Sequence, residues 1–213
     1  MRVPLHIGII PDGNRRWALD SGKEKHEGYD YGLEPGLALL RIARELGVKE
    51  ISYYGFTTDN CKRPAQQIKA FSKACVDAVE LIAAEGTSLL VLGNYHSQFF
   101  PPELIQYSTR TDIGGGGIKV NFLVNYGWEW DLEGITDAEH KTTKIIDNIK
   151  SNDISRIDLV IRWGGMRRLS GLLPVQSVYA DFYVIDALWP DFKPQQFLDA
   201  IDWYQTQDPT LGG

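Results

Sequence analysis

The chain has 213 residues, 43% of them hydrophobic and 23% charged, and a formal net charge of −6. This length suits one well-buried domain over residues 1–213, and no apolar run approaches the roughly 20 residues of a membrane-spanning helix. The net negative charge argues against nucleic acid as a partner. Two cysteines without metal-ligand spacing, and a beginning without a signal-peptide pattern, predict a cytoplasmic protein.

Apolar segments of strand length alternate along the chain with apolar stripes of helical spacing. The predicted strands are Leu5–Ile10, Ile51–Phe56, Leu89–Leu92, Ile118–Asn125, Ile157–Arg162 and Phe182–Ile185. The predicted helices carry their stripes within Leu39–Leu46, Ile68–Ile82, Ile145–Ile149 and Phe197–Tyr204. Several strands are continuous apolar runs, which is typical of a parallel sheet covered on both faces. The pattern predicts an α/β fold with an open, mostly parallel six-stranded sheet flanked by helices.

The first predicted strand leads directly into a polar segment, Pro11-Asp12-Gly13-Asn14-Arg15-Arg16-Trp17. A β-turn alone explains Pro11-Asp12-Gly13, but it does not explain the two adjacent guanidinium groups that follow. In open α/β sheets, ligands bind outside the carboxyl ends of the strands. A carboxylate that can hold a cation, beside arginines that can hold phosphate, indicates a site for a metal–diphosphate substrate.

Two further polar segments follow predicted strands. Thr57–Pro64 offers hydroxyls, an amide and a guanidinium, although a polar loop with a helix-starting proline is an adequate structural explanation. Arg162–Ser170 places three arginines and a serine around Gly164-Gly165, which suits a diphosphate, while solvent-exposed surface arginines remain an alternative for Arg167. Nucleotide-binding glycine motifs and the G-x-S-x-G hydrolase motif are absent from the sequence, and the four histidines are scattered. We therefore expect an enzyme of phosphorylated small molecules.

Three segments carry a resemblance to a known family. His6–Ala18 closely resembles the first signature of the cis-prenyltransferases, the undecaprenyl diphosphate synthase family, and Phe56–Pro64 resembles the second. Arg162–Asp191 is similar to the final signature, and the three segments follow in the family's order over almost the whole chain. The resemblance implies an α/β fold with an apolar substrate tunnel or pocket, isoprenyl diphosphate substrates, Mg²⁺ as cofactor and a homodimer. Any association with a membrane would be peripheral and would come only through a lipid product.

The resemblance also implies roles for individual residues. Asp12 is expected to be catalytic and to hold Mg²⁺ against a substrate diphosphate, and Asp181 stands where the family has a glutamate that completes the metal site. The residues expected to cradle the allylic diphosphate at a helix start are Gly13, Asn14, Arg15 and Arg16, with Trp17 packed beside them. The residues expected to bind the second diphosphate are Arg162, Arg168 and Ser170. Asn60 and Arg63 match a pair near the reacting carbons.

Several positions depart from the family pattern. Lys25 and Tyr29 stand where the family has an arginine and a histidine, and both stay among the expected substrate-binding residues. Lysine can still bind phosphate, whereas tyrosine supplies no imidazole. Trp163 replaces a small hydroxyl residue, and Met166 replaces an acidic residue after Gly164-Gly165. The lost acidic residue also resembles the lavandulyl-type members, which join two allylic units head-to-middle. Bulky Trp163 and Trp128 suggest short products.

The sequence thus favours a Mg²⁺-dependent prenyltransferase that condenses isoprenyl diphosphates, with dimethylallyl or geranyl diphosphate as the donor. Short-chain, head-to-middle condensation is the first hypothesis. Conventional head-to-tail elongation with isopentenyl diphosphate is the close alternative. A non-catalytic regulatory subunit ranks third, because such subunits typically lose the first-signature aspartate, whereas Asp12 is retained here.

Overall fold

The computed structural model describes residues 2–137 and 144–208. Its strands are β1 (His6–Ile10), β2 (Glu50–Thr57), β3 (Ser88–Leu92), β4 (Thr111–Asp112), β5 (Lys119–Tyr126), β6 (Leu159–Arg162) and β7 (Asp181–Val184). They form one sheet in the order β4-β3-β5-β2-β1-β6-β7. Every neighbouring pair is parallel except β3 and β4. The open, mostly parallel sheet is confirmed, and the strand that the sequence did not predict is β4, a two-residue edge strand too short for any periodicity.

The α-helices are α1 (Asn14–Asp20), α2 (Leu33–Glu45), α3 (Ala65–Ala84), α4 (Trp128–Asp137) and α5 (Pro194–Gln205). Short 3₁₀ segments cover Glu27–Gly32, Thr58–Lys62, Pro102–Tyr107, Ile145–Asn148 and Trp189–Asp191. α2 accommodates Pro35 in its first turn, where a missing N–H costs no helical hydrogen bond, and it is followed by Gly47 at φ 85°.

One helix prediction was wrong. The stripe within Ile145–Ile149 forms only a 3₁₀ turn, and the side chains of Ile145 and Ile146 are exposed. The helix of this region is instead α4, which begins with the acidic and aromatic run Trp128-Glu129-Trp130-Asp131. That run shows no regular apolar stripe, so helical periodicity did not reveal it.

The two faces of the sheet bury separate clusters because neighbouring strand residues point to opposite sides. One cluster joins Ile9, Tyr53 and Phe122 of the strands to α2, α3 and α5. The other joins Ile10, Tyr54 and Leu123 to the chain around Leu172–Leu173. Both layers end at the carboxyl edge of β1, β2 and β6, which is where the polar segments predicted from sequence lie. Within the described ranges, a helix with the length and hydrophobicity needed to cross a bilayer is not found.

Candidate active site

A cavity of about 650 Å³ opens at the carboxyl edge of the sheet. The predicted site residues that line it are Asp12, Gly13, Asn14, Arg15, Arg16, Lys25, Tyr29, Asn60, Arg63, Arg162, Arg168 and Ser170. Thr57, from the second polar segment, lines it as well, together with Tyr54 and Phe71, which the sequence indicated only as strand and helix residues. The structure thus gathers side chains from β1, β2 and β6, and from the segments that follow them, around one space.

Arg162 is the buried centre of the polar wall, with only 4% of its surface exposed. Its Nη2 donates to Oδ2 of Asp12 at 2.8 Å, and its Nη1 donates to Oγ of Ser170 at 2.7 Å and to the carbonyl oxygen of Arg168 at 2.5 Å. Its Nε is buried and finds no hydrogen-bond partner among the residues that the structure describes. A buried charge is stable only when it is paired and hydrogen-bonded, so Asp12, the Ser170 hydroxyl and the Arg168 carbonyl fix this guanidinium.

Arg16 joins the first and last polar segments. Its Nη2 donates to the carbonyl oxygen of Gly164 at 2.9 Å and lies 3.6 Å from Oδ1 of Asp12. Gly164 has φ 86°, and a Cβ there would collide with Arg16 Nη2. The glycine therefore allows the two segments to touch.

The turn before α1 is shaped by close packing. Gly13 adopts φ 114°, and a Cβ at this position would lie 2.9 Å from Cδ2 of Leu188. Asn14 Nδ2 donates to the carbonyl oxygen of Pro11 at 3.1 Å. Behind α1, a Cβ on Gly28 would overlap the carbonyl oxygen of Asn14. In the part of the chain that is described, Oδ1 of Asn14 and Nε of Arg15 are buried without a hydrogen-bond partner.

On the opposite wall, Arg63 Nη1 donates to the hydroxyl oxygen of Tyr29 at 2.9 Å. The Tyr29 ring stacks on Phe71 with 4.4 Å between ring centroids, and burial raises the pKa of the Tyr29 hydroxyl. Tyr29 therefore orients a guanidinium and exchanges no proton near neutral pH. Asn60 lines the cavity, and its Oδ1 accepts the Thr57 N–H at 3.0 Å and caps the 3₁₀ turn, which fixes the orientation of its side-chain amide.

Two predicted site residues lie elsewhere. The Trp17 indole N–H donates to Oδ1 of Asp191 at 2.8 Å, and its ring contacts Tyr31, so Trp17 supports α1 from behind and does not line the cavity. Asp181 is the first residue of β7 and pairs with Leu159, whereas Arg162 pairs with Val184 at the carboxyl edge. Three residues of strand place Asp181 about 10 Å before that edge.

Asp181 of the same chain therefore does not share a metal ion with Asp12, and this expectation is corrected. Residues 2–137 and 144–208 contain no group of three or more His, Cys, Asp or Glu side chains placed to hold a metal. Mg²⁺, however, is commonly bound through one or two carboxylates, waters and substrate phosphates. Asp12, with 33% of its side chain exposed and its Oδ1 in only a loose ion pair, fits that role.

An apolar cavity of about 60 Å³ lies beside the larger one and shares Pro11, Asn14, Tyr29, Gly55 and Phe71 with it. Its far walls are the rings of Tyr53, Phe122 and Trp189. The Tyr53 hydroxyl donates to the carbonyl oxygen of Gly36 at 2.8 Å, and the Trp189 indole N–H donates to that of Gly32 at 2.9 Å. These bonds tie the sheet to the beginning of α2 and close the apolar layer.

The two tryptophans that suggested short products line neither cavity. Trp163 is fully buried, donates to Oε1 of Gln196 at 3.1 Å and meets the ring of Trp189 edge-on. Trp128 begins α4 and is 44% exposed. The rings that limit the apolar space are Tyr53, Phe122 and Trp189, which the sequence showed only as strand and loop residues.

A family model described as putative undecaprenyl diphosphate synthase matches residues 10–212. The chain is 31% identical to an isoprenyl transferase of Leptospira interrogans, with 99% of this chain and 95% of that protein covered. The chain belongs to the undecaprenyl diphosphate synthase family. Within this family it is also 29% identical to the ditrans,polycis-undecaprenyl-diphosphate synthase of Escherichia coli K12, over 98% of this chain and 89% of that one.

A solved structure shares the fold of this family member. Lavandulyl diphosphate synthase from Lavandula x intermedia, in complex with dimethylallyl diphosphate, superposes with a TM-score of 0.86 over 99% of both chains. The two sequences are 21% identical, so this likeness shows the fold and not the substrate. The homodimer expected from the resemblance stays a prediction.

Proposed function

We propose that the chain is a Mg²⁺-dependent prenyltransferase that condenses two isoprenyl diphosphates and releases diphosphate. The observation that carries this is the charge of the main cavity. Its cationic lining residues are Arg15, Arg16, Lys25, Arg63, Arg162 and Arg168. Among the residues that the structure describes, only Asp12 and Asp59 oppose them there, although the whole chain has a net charge of −6. Guanidinium groups on two walls of one cavity suit two diphosphates held side by side.

In this reaction the arginines neutralise the charge that builds up on the departing diphosphate. Asp12 would hold Mg²⁺ against that diphosphate, and the metal would supply further neutralisation of the leaving oxygen. The allylic C–O bond breaks, the double bond of the second substrate attacks the freed carbon, and a proton is lost from the new cation. Ile10 and Phe71 give the cavity apolar surface that excludes water from the carbocation.

We further propose that the products are short. The apolar space beside the diphosphate cavity has a volume of about 60 Å³, compared with about 650 Å³ for that cavity. Sites that enclose a ligand of moderate size usually have a volume of about 300–1,000 Å³. A long polyprenyl tail has no room behind Tyr53, Phe122 and Trp189 unless these rings move.

Head-to-middle condensation of two allylic units is our proposal for the regiochemistry, and head-to-tail addition of isopentenyl diphosphate is its alternative. The first is supported by the stretch Gly164-Gly165-Met166-Arg167-Arg168, which brings no carboxylate to the wall formed by Arg162 and Ser170. The second is supported by the names of the curated relatives, which are isoprenyl transferases and undecaprenyl diphosphate synthases.

The deciding experiment supplies dimethylallyl or geranyl diphosphate with Mg²⁺, with and without isopentenyl diphosphate, and identifies the products by mass spectrometry. Product from an allylic diphosphate alone supports head-to-middle condensation. Strict dependence on isopentenyl diphosphate replaces it by head-to-tail elongation. Binding of both substrates without any product would contradict catalysis and leave the regulatory subunit.

Product length is tested separately with Phe122→Ala. Removing this ring enlarges the apolar space, so we expect products longer by at least one five-carbon unit. Val120→Ala is the matched control, because Val120 is fully buried on the same face of β5 and does not line the cavity. The same product length in Phe122→Ala and in the unmodified protein would contradict the proposed limit.

A further inference from the structure

The segment from Arg168 to Gly171 holds the buried guanidinium of Arg162 by hydrogen bonds. Within this segment, Ser170 has a backbone conformation that serine rarely adopts. Ser170 has φ 54°, in the left-handed region, while its Oγ accepts from Arg162 Nη1 at 2.7 Å. For a residue with a Cβ, this backbone conformation is strained, because the Cβ approaches the following carbonyl oxygen. Such a conformation persists only where the surroundings enforce it.

Tyr54 is the residue that reaches Ser170 from elsewhere in the fold. Its hydroxyl donates to the carbonyl oxygen of Ser170 at 2.7 Å, 116 positions away in sequence. Tyr54 lies on β2 and Arg162 on β6, with β1 between them, so the Tyr54 side chain reaches across the end of β1, which leads to Asp12. Burial raises the pKa of this hydroxyl, which therefore remains a donor across the physiological range.

The next residue shows how closely the segment is held. Gly171 has φ 86°, and a Cβ there would lie 3.2 Å from the Tyr54 hydroxyl oxygen and 3.1 Å from Cδ1 of Trp128. Tyr54 itself is only 9% exposed and meets the ring of Tyr126 edge-on. The backbone at 170–171 is thus pressed against a hydroxyl and an indole that do not belong to any family signature quoted above.

We propose that Tyr54 is a positioning residue that holds Ser170 in its left-handed conformation, so that Arg162, Arg168 and Ser170 face one diphosphate together. The identity of that anion rests on the proposed function; the positioning itself does not. Tyr54 acts through the Ser170 backbone, and its own hydroxyl is engaged by the Ser170 carbonyl and not by the ligand. Without the hydroxyl, the segment relaxes and the anion site loses its shape.

The test measures binding of inorganic pyrophosphate by calorimetry, so it needs no turnover. The site of interest is identified as the one lost in Arg168→Ala. Tyr54→Phe keeps the ring and removes only the hydroxyl, and we expect it to weaken pyrophosphate binding at this site about tenfold, the size of one hydrogen bond. Tyr126→Phe is the matched control, because Tyr126 is a fully buried tyrosine of the same face whose hydroxyl donates to Asp131, and we expect a change below about twofold.

A double-mutant cycle separates positioning from direct contact. Ser170→Gly accepts the left-handed conformation without strain, so in that background Tyr54→Phe should change the affinity less than about twofold. The same tenfold loss in both backgrounds would mean that Tyr54 meets the anion itself and would overturn the proposal. An unchanged affinity in Tyr54→Phe alone would overturn it as well.

Gly171→Ala provides a second route if Tyr54→Phe does not fold. Its methyl group would press on the Tyr54 hydroxyl and on Trp128, and we expect the same pyrophosphate site to weaken at least tenfold with the thermal transition retained. Unchanged pyrophosphate binding by this variant would contradict the proposal that Tyr54 positions Ser170. Because none of these measurements involves a prenyl substrate, failure of the positioning proposal and failure of the proposed function are distinguishable.

Discussion

The two edges of the sheet both carry polar side chains on the same strands, but they use them differently. At the amino edge, His6, Glu50, Ser52 and Asn121 are at least 96% buried. At the carboxyl edge, Asp12, Arg16 and Arg162 surround an open cavity of about 650 Å³. Both clusters combine charged and polar side chains, so their composition alone does not distinguish them.

Pairing does distinguish them. At the amino edge the His6 ring bonds through both nitrogens, to Ser155 and Ser52, and both oxygens of Glu50 accept, from Asn121 and from Ser155. At the carboxyl edge the buried Nε atoms of Arg15 and Arg162 have no partner among the described residues. A fully satisfied polar cluster stabilises a fold, whereas unpaired donors beside a cavity are available to a ligand. Unpaired atoms alone do not mark a site, since Arg44 Nε and Gln176 Oε1 also lack a partner among the described residues; the coincidence of unpaired atoms with a cavity distinguishes the carboxyl edge.

The largest expected effect is at the carboxyl edge. Asp12→Asn keeps the shape of the side chain but removes the charge that holds Mg²⁺, and we expect turnover of allylic diphosphates to fall about 10³-fold with a thermal transition close to that of the unmodified protein. Initial rates at saturating Mg²⁺ measure this. Asp20→Asn, which changes an exposed carboxylate at the end of the following helix α1, is the control and should stay within about twofold. Unchanged turnover in Asp12→Asn would reject the metal assignment.

The opposite outcome is expected at the amino edge. Glu50→Ala leaves Asn121 Nδ2 and Ser155 Oγ without their acceptors, and we expect the free energy of unfolding to fall by about 3 kcal/mol. Denaturant titration gives this value, and the Michaelis constants for the diphosphate substrates should not change. A selective loss of substrate affinity with normal stability would break the distinction between the two edges.

A smaller effect is expected on the pH dependence of stability, and it comes from His6 at the amino edge. Burial, the largest influence, lowers the pKa of His6, against the opposing effects of Glu50 and Asp158. The unfolded chain, with a histidine pKa of about 6.5, then binds more protons than the folded one, so stability falls as the pH falls below about 6.5. Between pH 7 and 5 the free energy of unfolding of the unmodified protein should fall more than that of His6→Gln, as measured by denaturant titration at each pH. Parallel pH profiles for the two proteins would show that His6 does not titrate in this range.

The sequence predicted most of the sheet because its strands are continuous apolar runs, whose limits differ from the observed ones by two residues or fewer. Most of the site followed from the same fact, since the polar segments come directly after strands whose carboxyl ends meet. The metal ion that Asp181 was expected to share with Asp12 is excluded within one chain for a reason visible in the sequence. Asp181 stands at the start of its apolar strand, and the start of a parallel strand lies at the edge of the sheet opposite to the carboxyl edge. Tyr54 was missed because an aromatic residue within an apolar strand predicts a side chain of the hydrophobic core.

The closeness of Gly28 to α1 has a consequence for sequence variation. Position 28 touches no proposed ligand atom, yet even an alanine there would push the carbonyl of Asn14 and with it the whole first turn that carries Arg15 and Arg16. Among active homologues this site should therefore tolerate as little exchange as the arginines themselves. In a saturation library selected for activity, variants at position 28 should be depleted together with variants at Arg16. The variants at position 28 would lose activity because α1 shifts, and the variants at Arg16 because a charge is lost.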